Sequence, residues 1–209
     1  RKREREKQQE RNKMGNRVGR HRRQIGFTDE IECVEKFDKL AMKVIVLGDD
    51  GVGKTSYLSQ RTIREFPDDP PTVFENHTIY SDGFEINLWD TAGSDTYDTL
   101  RPLCYPGTDC FFLFFSLTHP ESLESVRTKW IKEITEHQPK TPVILVGTRL
   151  DERDDSTGIP SQEGKTVAED INAAYYIEVS AKTGENVDKV TDDALQVIKM
   201  IDPPIPHLP

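Results

Sequence analysis

The sequence predicts a three-layer α/β fold, a six-stranded and mostly parallel sheet with helices on both faces, and three observations predict it. Short apolar runs alternate with stretches of helical periodicity from about residue 41 onward. Several of those runs are apolar at nearly every position, as strands covered on both faces must be. A glycine-rich turn also joins the first run directly to the first helix.

The predicted strands run from Lys43 to Leu47, His77 to Tyr80, Phe84 to Trp89, Cys110 to Phe115, Val143 to Val146 and Tyr175 to Val179. Ser81-Asp82-Gly83 reads as a hairpin turn, so the second and third strands form the one antiparallel pair. Leu123, Val126, Trp130 and Ile134 mark one helix; Val187, Val190, Leu195, Ile198 and Ile201 mark the last. Alternation of this kind demands right-handed crossovers, which place helices on both sides of the sheet.

A chain of 209 residues with 34% apolar content buries one core of ordinary size. The boundaries read as a basic arm over 1–26, a short amphipathic helix over 27–40, a globular domain over 41–202 and a proline-rich tail over 203–209. The helix rests on Ile31, Val34, Phe37 and Leu40, which recur every three residues. No apolar run is long enough to cross a bilayer, and the charged amino end lacks a signal-peptide pattern, so a soluble, cytoplasmic protein is expected. Cys33, Cys104 and Cys110 have no metal or redox spacing and read as packed thiols.

The net charge of −9 conceals an asymmetry. Residues 1–23 hold eleven Lys/Arg and three Glu, a balance of +8, which leaves −17 for the remainder. The arm has no apolar face to bury and cannot fold alone. Its free positive charge suits an acidic protein surface, anionic lipid or nucleic acid, and protein docking is favoured over nucleic acid. A solvated tail is the alternative.

The chemistry enters at Gly48-Asp49-Asp50-Gly51-Val52-Gly53-Lys54-Thr55, which fits G-x-x-x-x-G-K-[ST] after a strand and at the opening of a helix. Backbone N–H groups of Asp50 to Ser56 can cradle phosphates there, Lys54 reaches the outer phosphates, and the Thr55 hydroxyl suits Mg²⁺. This defines the P-loop NTPase version of the three-layer fold. The base is read elsewhere. Thr148-Arg149-Leu150-Asp151 follows the fifth strand, where a carboxylate can accept the ring N–H and the exocyclic amine of guanine; adenine offers no such pair. Ser180-Ala181-Lys182 follows the last strand, where the Ala181 N–H can meet the guanine O6.

With these motifs in order, residues from about Leu40 to Ile201 resemble a Rho/Rac small GTPase of the Ras superfamily. Pro71-Thr72-Val73-Phe74-Glu75-Asn76 and Trp89-Asp90-Thr91-Ala92-Gly93 carry the likeness, and Tyr97 to Pro106 with Val126-Arg127-Thr128-Lys129-Trp130 point to the Rho branch. The resemblance implies that Thr72 joins Thr55 on Mg²⁺, that Asp90 holds the metal through water, and that the N–H groups of Thr72 and Gly93 touch the γ-phosphate. It makes Phe66 the aromatic edge against guanine; a helix-end core residue is the alternative.

Four departures from the family bear on function. Ser94 stands where the family places its catalytic glutamine and is too short to orient an attacking water. Asp50 stands where the family has a glycine that leaves room for that glutamine and for an arginine finger. No catalytic residue is therefore assigned. At an effective dielectric of about 20 and a separation of about 5 Å, the repulsion between Asp50 and a γ-phosphate is on the order of 3 kcal/mol before other charges offset it. The third departure is length: the segment from Thr72 to Asp90 is shorter than the family's, and Asp154 to Pro160 is too short for the extra helix of Rho proteins. The fourth is the written carboxyl end, which shows neither C-a-a-X nor a basic stretch, so no lipid anchor is expected on the chain as written. Arg149 also replaces the family's usual lysine.

These features lead to the expectation of a Rho-like protein that binds GTP (or GDP) with Mg²⁺ and hydrolyses weakly or not at all. It would act as an interaction or scaffold module through its switch regions and basic arm within a larger assembly, with the cytoskeleton as a candidate location. A cycling regulatory switch and a nucleotide-free pseudo-GTPase remain open.

Overall fold

The computed structural model describes residues 41–66, 76–154, 156 and 158–201. The arm over 1–26, the helix predicted over 27–40, Thr72 and the tail over 203–209 lie outside the described residues.

The sheet has six strands: β1 (Ala41–Leu47), β2 (Asn76–Ser81), β3 (Phe84–Asp90), β4 (Cys110–Ser116), β5 (Val143–Thr148) and β6 (Tyr175–Glu178). Their spatial order is β2-β3-β1-β4-β5-β6, with every pair parallel except β2 and β3. The β2–β3 hairpin closes over Asp82 and Gly83, both at positive φ (50° and 81°). That is the mirror-image turn whose twist matches two adjoining strands, and it requires residues that tolerate left-handed backbone.

Alternation along the strands sorts the core into two layers. Met42, Val44 and Val46 of β1 with Phe112 and Phe114 of β4 face one side, against Tyr57, Leu58, Val187, Val190 and Ala194. Ile45 and Leu47 with Phe111, Leu113 and Phe115 face the other, against Leu123, Val126, Trp130, Ile134 and Val167. The helices supplying these partners are α1 (Lys54–Thr62) and α5 (Val187–Ile201) on the first side. On the second side lie α2 (Pro120–Ser125), α3 (Ile131–His137) and α4 (Ser161–Asp170). A π-helical turn, Val126–Trp130, links α2 to α3, so the single helix predicted around Leu123 to Ile134 contains a widened turn.

Two features of the layer differ from expectation. Helix α4 is not marked by periodicity, because only Gly164, Val167 and Ala168 are buried on it. Strand bounds also move by one or two residues: β1 starts at Ala41 because Met42 is buried, and β5 continues to Thr148. Cys110 is buried and Cys104 half-buried, neither in a disulfide.

Candidate nucleotide site

The parallel strands end together on one edge of the sheet, and the loops leaving β1, β3, β5 and β6 converge there. The open crevice at the carboxyl ends of such strands is where ligands sit in this architecture.

The loop between β1 and α1 is shaped by Gly48, Gly51 and Gly53 at φ 139°, 74° and 99°. At Gly48 freedom of backbone is not the only requirement, since a Cβ there would stand 2.3 Å from the Phe114 carbonyl oxygen. The loop closes around its own lysine: buried Lys54 donates through Nζ to the carbonyls of Gly48 and Asp49, both at 2.8 Å. Burial lowers the Lys54 pKa to about 8 against the opposing attraction of Asp90, Asp50 and Asp49. From β5, the Thr148 hydroxyl donates to the Val52 carbonyl at 2.5 Å, with the Phe115 carbonyl 3.0 Å away as the alternative acceptor, pinning the loop from beneath.

At the start of α1 the Thr55 hydroxyl donates to Asp90 Oδ2 at 2.7 Å. The second oxygen, Oδ1, is buried and has no hydrogen-bond partner. Burial raises the Asp90 pKa, with the Thr55 hydroxyl and Lys54 pulling the other way. A buried, unsatisfied carboxylate oxygen beside a hydroxyl fits a hydrated divalent cation, so Thr55 and Asp90 suit the Mg²⁺ that the motif implies.

The third and fourth loops form the other wall. Arg149 sits at φ 59°, and its guanidinium donates to the Gly51 carbonyl at 2.9 Å while pairing with Glu152. The Ser180 hydroxyl donates to Asp151 Oδ1 at 2.6 Å, which orients the carboxylate, and the Thr183 N–H donates to Ser180 Oγ at 3.0 Å. Between the walls lies a cavity of about 280 Å³.

The cavity gathers most of the predicted residues. Asp50, Gly51, Gly53, Lys54, Thr55 and Ser56 line its phosphate end. Phe66, Thr148, Arg149, Asp151, Ala181 and Lys182 line the other, with Asp90 between. Val52 lies buried under the loop, Ser180 is buried behind Asp151, and Gly93 is buried with its N–H donating to Asp50 Oδ1 at 2.8 Å. Phe66 is 45% exposed, so the helix-end core alternative gives way to a position at the cavity wall.

Sequence reasoning missed a support behind this wall. The Trp130 indole N–H donates to Asp49 Oδ1 at 2.8 Å, with the Arg101 guanidinium 4.5 Å and the Lys129 ammonium 4.6 Å from the ring centroid. Fully buried Arg101 pairs with Glu133 at 2.9 Å and Asp98 at 2.5 Å, and donates to the Ala92 carbonyl at 2.9 Å. The sequence marks Trp130 as a helix-core residue and a point of family resemblance, and Arg101 as part of a resembling segment, with no signal that either supports the phosphate loop. Thr91, Ala92 and Glu152 also line the cavity without having been singled out.

The strand order, the single antiparallel edge and the lysine-bearing glycine loop after β1 define a P-loop nucleotide-binding protein of the three-layer α/β type. The model of the Ras family matches residues 43–200, and the chain belongs to that family, the GTP-binding small GTPases. Among the described residues no helix is long and apolar enough to cross a membrane.

Proposed function

We propose that the chain is a Rho-like member of the Ras family that holds Mg-GTP, hydrolyses it weakly or not at all, and serves as an interaction module in a larger assembly. The observation that carries the reading is the position of Ser94. Its hydroxyl accepts the Thr96 N–H at 3.3 Å and bonds to Thr96 Oγ1 at 3.1 Å, capping the short turn Asp95–Tyr97. The side chain where the family keeps its water-orienting group is thus short and engaged in its own loop.

In this reading the phosphates lie along the backbone N–H groups of Gly51 to Ser56, with Lys54 on the outer phosphates. Asp151 accepts the two guanine donors while Ser180 fixes its orientation, Ala181 faces the guanine O6, and Phe66 covers the base. Thr55 and Asp90 provide the metal side of the pocket, and Thr72, outside the described residues, is the further ligand that the family resemblance implies. Mg²⁺, when bound, neutralises charge on the phosphate oxygens. The phosphate and metal charges, when present, would favour the charged forms of Lys54 and Asp90 against the burial that opposes them.

The interaction role is supported by Leu100 and Leu103, 58% and 75% exposed on the loop that follows β3, and by the basic arm of the sequence. The proposed partners are proteins, with a cytoplasmic and cytoskeleton-associated location as the extension of that role. The test is the nucleotide carried by the purified protein together with single-turnover hydrolysis. GTP recovered with the protein and turnover no faster than that of an unassisted small GTPase are expected. Recovery of GDP alone, with ready turnover, would return the chain to a cycling switch.

A further inference from the structure

Two adjacent carboxylates in the phosphate loop face different elements. Asp49 holds the Trp130 indole, whereas Asp50 Oδ1 accepts the Gly93 N–H at 2.8 Å. Gly93 follows β3 and packs against the phosphate loop so closely that a Cβ would stand 2.5 Å from Asp49 C, Asp50 N and Gly48 O. Its N–H therefore borders the phosphate cradle, where any anion beyond Lys54 would seek it as a donor. Here the chain supplies that anion itself. On either side of Gly93, the Arg101 guanidinium donates to the carbonyls of Ala92 at 2.9 Å and Ser94 at 3.4 Å. Further along, Lys129 pairs with Asp95 and, at 3.3 Å, with Asp98.

We propose that Asp50 is a built-in stand-in for a terminal phosphate: it latches the loop after β3 onto the phosphate loop, so that this loop is equally ordered with a guanosine diphosphate or triphosphate bound. In a site whose Gly93 N–H is open, the terminal phosphate gains a charge-assisted hydrogen bond and orders the loop in return. Where Asp50 already occupies that donor, the triphosphate must displace a carboxylate and sit beside its charge. Two consequences follow: the affinity advantage of triphosphate over diphosphate shrinks, and the surface offered by Tyr97, Leu100 and Leu103 stops reporting which nucleotide is bound. The inference rests on the site taking a guanine nucleotide, and is independent of how slowly that nucleotide is hydrolysed.

The full chain, loaded with Mg-GDP or with a non-hydrolysable Mg-GTP analogue, provides the test. Amide exchange is followed by mass spectrometry over residues 91–100, and the two nucleotides are competed against each other on wild type, Asp50→Gly and Asp50→Asn. In wild type the same protection is expected in both states. In Asp50→Gly, protection should require the triphosphate analogue, and the triphosphate-to-diphosphate affinity ratio should rise by about tenfold or more, the worth of one charge-assisted hydrogen bond. Asp50→Asn keeps an acceptor without the charge, so the ratio should rise while protection stays equal in the two states. Wild-type protection that depends on the terminal phosphate, or a ratio unchanged in Asp50→Gly, overturns the latch and leaves nucleotide binding intact. Failure of wild type to bind either nucleotide overturns both.

Discussion

The Ser180 hydroxyl donates to Oδ1 of Asp151 over 2.6 Å, joining the loop after β6 to the loop after β5. Each carboxylate oxygen can accept more than one hydrogen bond, so the pair leaves Asp151 able to meet two donors on one edge of a base. Replacing Asp151 by Asn turns one acceptor into a donor. Guanine affinity is expected to fall by at least about 100-fold, since two hydrogen bonds to a charged group are weakened. Xanthine, with an oxygen in place of the exocyclic amine, should gain relative to guanine. Ser180→Ala should cost only about three- to tenfold, through orientation alone. Competition of guanosine and xanthosine diphosphates against a fluorescent nucleotide measures both.

Thr55 and Asp90 form the second pairing that can be tested. Asp90 Oδ2 is held by the Thr55 hydroxyl and Oδ1 is buried without a hydrogen-bond partner, a donor set that suits a hydrated divalent cation. Chelation of Mg²⁺ is expected to accelerate GDP release from wild type by about tenfold or more. Thr55→Ala should release quickly from the outset and respond little to chelator. Stopped-flow release of a fluorescent GDP, with and without EDTA, gives the comparison; an equal response in both proteins would remove Thr55 from the metal.

The buried cluster around Arg101 makes a prediction about stability. Removing Arg101 as Met strips Glu133 of its partner and should cost about 3–5 kcal/mol in denaturant unfolding, whereas Glu133→Gln leaves Arg101 paired with Asp98 and should cost less. Replacing both by Met should cost much less than the sum, because no lone charge remains.

The same cluster sets a pH response. Partial burial raises the Asp98 pKa, but the hydrogen bonds from Arg101 and Lys129 outweigh it and hold the carboxyl below the usual range. A depressed folded value means the pairing is fully present above the ordinary carboxylate pKa, about 4, and is lost as pH falls through the folded value. Asp98→Asn should therefore flatten the acid limb of the stability profile and leave the shape near neutrality unchanged, as read by thermal unfolding between pH 3 and 7 in steps of about half a unit.

Features encoded within a few neighbouring residues were legible in the sequence. Most of the strands are legible as apolar or alternating runs, β2 with its single buried Ile79 through the Asp82-Gly83 hairpin that joins it to β3, and the phosphate loop and Asp151 turn as short motifs. Helix α4 is not, for a physical reason: Gly164 lies against the Tyr176 ring, where a Cβ would come within 2.1 Å of the hydroxyl. The helix thus meets the sheet with a missing side chain where an apolar residue would have marked it. The π-helical turn at Val126–Trp130 was equally hidden, since its spacing of apolar residues fits an ordinary helix. The contacts that distinguish this site, Asp49 with Trp130 and Asp50 with Gly93, join residues 81 and 43 positions apart. Pattern along the chain carries no signal for such pairs.

Hydrolysis gives the last prediction, and two residues must change for it to appear. Ser94→Gln supplies a side chain long enough to orient water, but Asp50 still occupies the Gly93 N–H and crowds the space beside it. Asp50→Gly clears that space but leaves a capping serine behind it. Each single variant should therefore remain near the wild-type rate, whereas Asp50→Gly with Ser94→Gln should exceed it by about tenfold or more in single-turnover phosphate release. Non-additivity is the signature of two groups acting on one water. If wild type already matches the double variant, Ser94 is no obstacle and the slow-hydrolysis reading fails. If Ser94→Gln alone gives the full gain, Asp50 does not obstruct the reaction, and its role is confined to the contact with Gly93.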